Sequence, residues 1–180
     1  NMVYNILVVD DEQSIADLVE LYLQNESYQV FKFYHGQEAL DSLKKNHYDL
    51  AILDVMMPDL SGFEVAQRLK SNPDTADIPI IFLTALNSTT DIVKGFQAGA
   101  SDFISKPFNK EELIIRVTHQ VSLVAAKRII LNKTEELQRI IAGRDKLYSV
   151  IAHDLRSPMG SIKMVLNMLM LNLPVEKIGG

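Results

Sequence analysis

The chain has 180 residues, 47% hydrophobic and 23% charged, which suits one globular domain or one domain with an appendage. It has no cysteine, so a disulfide framework and thiolate metal sites are excluded, and a reducing, cytoplasmic setting is the expectation. The net charge of −5 divides unevenly: residues 1–108 carry 7 basic and 16 acidic side chains, and residues 109–180 carry 11 and 7. The acidic part is a poor nucleic-acid surface, and the mildly basic part alternates in sign like a solvated helix, so no nucleic-acid partner is expected. No apolar run reaches membrane-spanning length and no signal peptide is visible, so no membrane segment is expected in this chain. Asn1 ahead of Met2 reads as an expression remnant.

Ile6-Leu7-Val8-Val9 reads as a fully buried short strand, and it ends in Asp10-Asp11-Glu12. Ile15, Leu18, Val19, Tyr22 and Leu23 recur three and four apart, predicting a helix. Tyr28 to Phe33 alternates and reads as a strand nearer an edge. Gly36 to Lys45 is a short helix. Leu50-Ala51-Ile52-Leu53-Asp54 is another continuous apolar strand, and it ends in a carboxylate. Pro58 and Gly62 make a loop before a helix that carries Phe63, Val65, Ala66 and Leu69 and ends near Pro73.

Ile78 to Thr84 is the fourth strand, with Pro79 near its start. A helix from about Thr90 to Ala98 is closed by Gly99 as a C-terminal cap. Ser101 to Ser105 is the fifth strand, followed by Lys106-Pro107-Phe108. Five alternations of strand and helix with short connections are the mark of an α/β fold with a parallel sheet covered on both faces.

After Asn109 the pattern becomes helical. Between there and Leu155 there is no proline, and Gly143 is the one glycine. A seven-residue pattern runs through Leu123, Lys127, Ile130, Thr134, Leu137, Ile141, Arg144, Tyr148, Ile151 and Leu155. It reads as an imperfect coiled-coil seam that forms a homodimer through the C-terminal helix. An earlier stripe, Val117, Val121, Val124 and Leu131, is expected to pack on the sheet. The alternative is one amphipathic helix folded onto its own domain.

In open parallel sheets ligands bind beyond the carboxyl ends of the strands. If the first and third strands are both central, Asp10, Asp11 and Asp54 converge there. Asp54 alone reads equally as a helix N-cap or a turn aspartate. Together they repel unless something positive joins them, and hard oxygen donors suit Mg²⁺. Thr84 offers a hydroxyl at the same edge and Lys106 an ammonium, a combination fit for phosphoryl transfer to a carboxylate.

Asp10-Asp11, Asp54 to Gly62, Thr84 and Gly99 to Phe108 resemble the receiver domain of two-component response regulators. The resemblance covers about residues 3–125 and implies a flavodoxin-like, doubly wound five-stranded parallel sheet of order 2-1-3-4-5. It implies that Asp54 is the phosphoacceptor, that Asp11 holds Mg²⁺ directly and Asp10 through water, and that the Met56 backbone carbonyl completes the site. Lys106 would hold a phosphoryl oxygen. Thr84 would move to the phosphoryl group, with Phe103 as the switch aromatic that turns inward. The Lys106–Pro107 bond is expected to be cis.

Ile151-Ala152-His153-Asp154-Leu155-Arg156-Ser157-Pro158 resembles the phosphoacceptor box of histidine kinases. His153 would be phosphorylated, with Asp154 as acid–base neighbour and Ser157 positioning water. The family's common Glu, Thr and Leu are replaced by Asp154, Ser157 and Met159. The expected organisation is thus a receiver at 3–125, a signalling helix or coiled-coil linker at 126–147, and the truncated first helix of a kinase dimerisation domain at 148–180. The parent protein would be a histidine kinase. This chain, without an ATP-binding domain, would have no kinase activity alone. If the helix from Asn109 to His153 is continuous it spans about 66 Å, which favours phosphorylation of Asp54 by an upstream histidine kinase or phosphotransfer protein. The rivals are a receiver with a purely dimerising coiled coil and no functional His153, and a Mg²⁺-dependent phosphatase using Asp54.

Overall fold

A computed structural model describes residues 2–85, 88–154, 165, 166 and 170. The elements are β1 Tyr4–Val9, α1 Gln13–Tyr22, β2 Tyr28–Phe33, α2 Gly36–Ser42, β3 Leu50–Asp54, α3 Gly62–Ser71, β4 Ile80–Thr84, α4 Thr89–Gln97, β5 Asp102–Ser105 and α5 Lys110–Asp154. The strands form one parallel sheet in the order β2-β1-β3-β4-β5. This is the flavodoxin-like order that the family resemblance implies, with a long C-terminal helix added.

Alternation along each strand splits the core into two layers. Leu7, Val9, Ala51, Leu53, Ile80 and Phe82 face Ala39 of α2 and Val65, Ala66 and Leu69 of α3. Ile6, Val8, Leu50, Ile52, Ile81, Leu83 and Ile104 face Ala16 and Val19 of α1 and Leu113, Val117 and Val121 of α5. All five residues of β3 and of β4 are buried, so those strands are covered on both faces, as central parallel strands are.

Several boundaries differ from the sequence expectation, and for three of them the local reason is plain. α2 stops at Ser42, and the next turn tightens through Leu43 N–H to Leu40 O and Lys44 N–H to Asp41 O. β4 begins at Ile80. Pro79 has no N–H, but its carbonyl accepts from Ala51 N–H at 3.0 Å. β5 begins at Asp102, although Ser101 N–H already donates to Ile80 O at 2.8 Å. Gly99 closes α4 with a φ of 101°, a conformation glycine adopts without strain, and Lys106–Pro107 is cis.

Two compact units divide the chain, Asn1–Ala126 and Lys127–Gly180. In the first, α5 buries Leu113, Val117 and Val121, with Gln120 buried beside them. The expected stripe fades at half-buried Val124, and Leu131 is exposed. In the second, the seam residues Ile130, Leu137, Ile141 and Tyr148 are exposed and Ile151 is buried. Among the described residues no helix is long and apolar enough to cross a membrane.

Candidate functional site

Strand register builds the site. Val9 of β1 lies beside Leu53 of β3, so Asp10 comes level with Asp54 at one edge of the sheet. Thr84 of β4 pairs with Ser105 of β5, so Lys106 follows one step beyond. Carboxylate oxygens of Asp10, Asp11 and Asp54 all lie within 4.8 Å of one another. Asp10 and Asp54 are buried, and Asp11 is exposed.

The arrangement is held by directed bonds. Asp10 Oδ1 accepts from Glu12 N–H at 2.9 Å, and Asp54 Oδ1 from Met56 N–H at 3.3 Å. Lys106 Nζ donates to Asp10 Oδ2 at 2.9 Å and lies 3.5 Å from Asp54 Oδ2. The Lys106 backbone N–H donates to Thr84 O at 2.8 Å, tying the lysine to the end of β4. Thr84 itself is buried.

Burial pushes the Asp54 carboxyl up to about 7 from its ordinary 3.8, and the Asp10 charge adds to the push while Lys106 opposes it. Burial alone would lower the Lys106 ammonium. Its hydrogen bond to Asp10 and the charges of Asp54 and Asp10 outweigh that and hold it above its ordinary value. One ammonium thus stands against three carboxylates, and two of these are buried. Such an oxygen-only donor set with excess negative charge fits a hard divalent cation.

The structure also shows parts the spacing alone does not. Gly62 begins α3 against the end of β3, with its N–H donating to Val55 O at 3.0 Å. A Cβ there would stand 2.1 Å from the Asp54 carbonyl oxygen. The backbone of the loop therefore touches the backbone of the candidate nucleophile. Asp59, in the same loop, has a φ of 65°. Phe103 is half-buried and packs against Phe82 and Phe96 with ring centroids 5.4 and 5.3 Å away.

The second motif is described in part. His153 is exposed near the end of α5, Asp154 is the last residue of that helix, and Ser157, Pro158 and Met159 lie outside the described residues. The Met56 side chain is 64% exposed, and its N–H, rather than its side chain, is what meets Asp54.

Comparison with known proteins agrees with this geometry. The family described as response regulator receiver domain matches residues 6–118. Regulatory protein VanR of Enterococcus faecium is 50% identical over 116 residues, 64% of this chain and 49% of that protein. The chain thus spans about half the length of the curated relatives it matches. The BeF3-activated receiver domain of DrrB, a Thermotoga maritima response regulator, is 36% identical with a TM-score of 0.62, covering 67% of this chain and 99% of that one. Vibrio cholerae chemotaxis protein CheY4 is 34% identical with a TM-score of 0.62, covering 66% and 98%.

Proposed function

Because this chain belongs to the response regulator receiver family, we propose that Asp54 is its phosphoacceptor and that a histidine-phosphorylated partner supplies the phosphoryl group. The convergence of Asp10, Asp11, Asp54 and Lys106 at one sheet edge carries this reading. In the transfer, an Asp54 carboxylate oxygen bonds to phosphorus and the bond from phosphorus to the donor's imidazole nitrogen breaks. The electron pair stays on that nitrogen, and a proton from water keeps the imidazole neutral or cationic.

Lys106 would trade its contact with Asp54 for a phosphoryl oxygen while keeping Asp10. Thr84 ends the neighbouring strand and is the hydroxyl that would follow the phosphoryl group, with Phe103 as the aromatic that responds. Asp10, Asp11, Asp54 and the Met56 carbonyl would hold Mg²⁺. When bound, the ion neutralises charge on the phosphoryl oxygens.

The output belongs to α5. Leu123, Ile130, Leu137 and Ile141 are 52–63% exposed on a helix whose seven-residue pattern would bury them against a second copy. Replacing Ile141 with Asp is expected to turn a dimer into a monomer in sedimentation equilibrium. A wild-type chain that stays monomeric as its concentration rises would contradict the seam. His153 would be the phosphorylated residue of an attached kinase module, oriented by Asp154. With a histidine-kinase ATP-binding domain supplied in trans, acid-labile phosphate on His153 supports that module. Its absence favours a receiver with a dimerising output alone. A Mg²⁺-dependent phosphatase built on Asp54 would instead turn over small phosphoesters continuously.

A further inference from the structure

Gly95 is buried in the interior of α4, where glycine weakens a helix relative to alanine. A reason for its presence lies across the α4–β5 contact. A Cβ on Gly95 would stand 1.9 Å from Phe103 Cζ, 2.5 Å from Cε2 and 3.1 Å from Cε1. The ring tip of Phe103 therefore rests on the bare backbone of α4.

Two further aromatic rings line this seat. Phe96, next to Gly95, tilts against the ring at 57°, and Phe82 of β4 at 52°. Phe82 is the register partner of Phe103 and stands two residues before Thr84. Phe82 also meets Phe63 edge-on, with ring centroids 5.1 Å apart. The atoms nearest Gly95 are at the free end of the Phe103 ring, the part that rotation about the side-chain bonds moves most.

We propose that Gly95 is a positioning residue of the switch: its missing side chain is the seat of the Phe103 ring on α4, and it sets the balance between the seated ring and a displaced one. This rests on the reading of Asp54 as phosphoacceptor and Phe103 as its responding aromatic. A methyl at position 95 removes the seated state, and any state of Asp54 that prefers one ring position must then change in free energy.

The test is a double-variant cycle on the full chain, with Gly95→Ala, Phe103→Ala and the pair together. Two readouts are taken: the thermal midpoint, and the phosphoramidate concentration that half-phosphorylates the chain with Mg²⁺, read by intact mass. Alanine is the better helix former, so Gly95→Ala should fold and should raise Tm in the Phe103→Ala background. With the ring present it should raise Tm less, or lower it. The phosphorylation midpoint should move about threefold or more with the ring present and not at all without it. Additive effects in both readouts would overturn the seat. A Tm cycle that couples while the phosphorylation midpoint stays fixed would overturn its role in the switch. Failure of the wild-type chain to take any phosphoryl group would overturn the phosphoacceptor reading, and the switch role with it.

Discussion

In metal-free buffer, replacing Asp54 with Asn is expected to raise the stability of the protein at about pH 8 by on the order of 2 kcal/mol, with the gain disappearing towards about pH 4. Burial lifts the Asp54 carboxyl in the folded chain to about 7, so the folded state holds its proton more tightly than the unfolded state does. Between the two values the folded chain binds more protons, and its stability falls as pH rises through that window. Above about 7 the folded chain carries an ionised, buried carboxylate beside Asp10. Asparagine keeps the shape and the acceptor for Met56 N–H while removing the charge. Urea midpoints of both proteins at the two pH values check this. A gain that stays constant with pH would contradict the assignment of the cost to ionisation.

Gly62→Ala should destabilise the protein by about 3 kcal/mol and impair phosphorylation together. The new methyl would stand 2.1 Å from the Asp54 carbonyl oxygen, 2.8 Å from its carbonyl carbon and 2.9 Å from Val55 Cα. All three are backbone atoms at the end of β3, a strand paired on both sides and buried along its length. Relief must come from moving the Asp54 backbone or the start of α3, and the first moves the carboxylate relative to Asp10 and Lys106. Gly143→Ala is the contrast. Nothing lies within 4 Å of its Cβ position. The same change there should stabilise α5 by about 0.5–1 kcal/mol and leave phosphorylation unaltered. Chemical denaturation together with phosphoramidate labelling separates the two outcomes. Equal stability changes at the two glycines would contradict the close approach.

Much of this site was legible because strand ends in a parallel sheet share an edge. Leu50 to Leu53 and Ile6 to Val9 are apolar on both faces, and that alone marks them as central strands. Their last residues then define where Asp10 and Asp54 meet. Lys106 was legible as a nearby cation, but not as a group bonded first to Asp10 at 2.9 Å and only then to Asp54 at 3.5 Å. Side-chain reach across strands decides that, and spacing along the chain does not encode it. Gly95 gave one local signal, a glycine inside a helical pattern. Its partner Phe103 is eight residues away on the next strand, so the contact emerges only from the packing of α4 on β5. In α5 the periodicity of Ile130, Leu137 and Ile141 was visible, and their exposure shows an apolar face on that helix. Only tertiary packing explains why the earlier stripe stops near Val124, where α5 passes beyond the sheet-facing Val117 and Val121.

The most direct measurement is to incubate the 180-residue chain with phosphoramidate and Mg²⁺ and map the phosphoryl group by peptide mass spectrometry. About one phosphoryl group per chain is expected, on the peptide that contains Asp54, formed only when Mg²⁺ is present during the incubation and absent in Asp54→Asn. A phosphoryl group on another residue, or labelling of Asp54→Asn equal to the wild type, would contradict the phosphoacceptor role of Asp54.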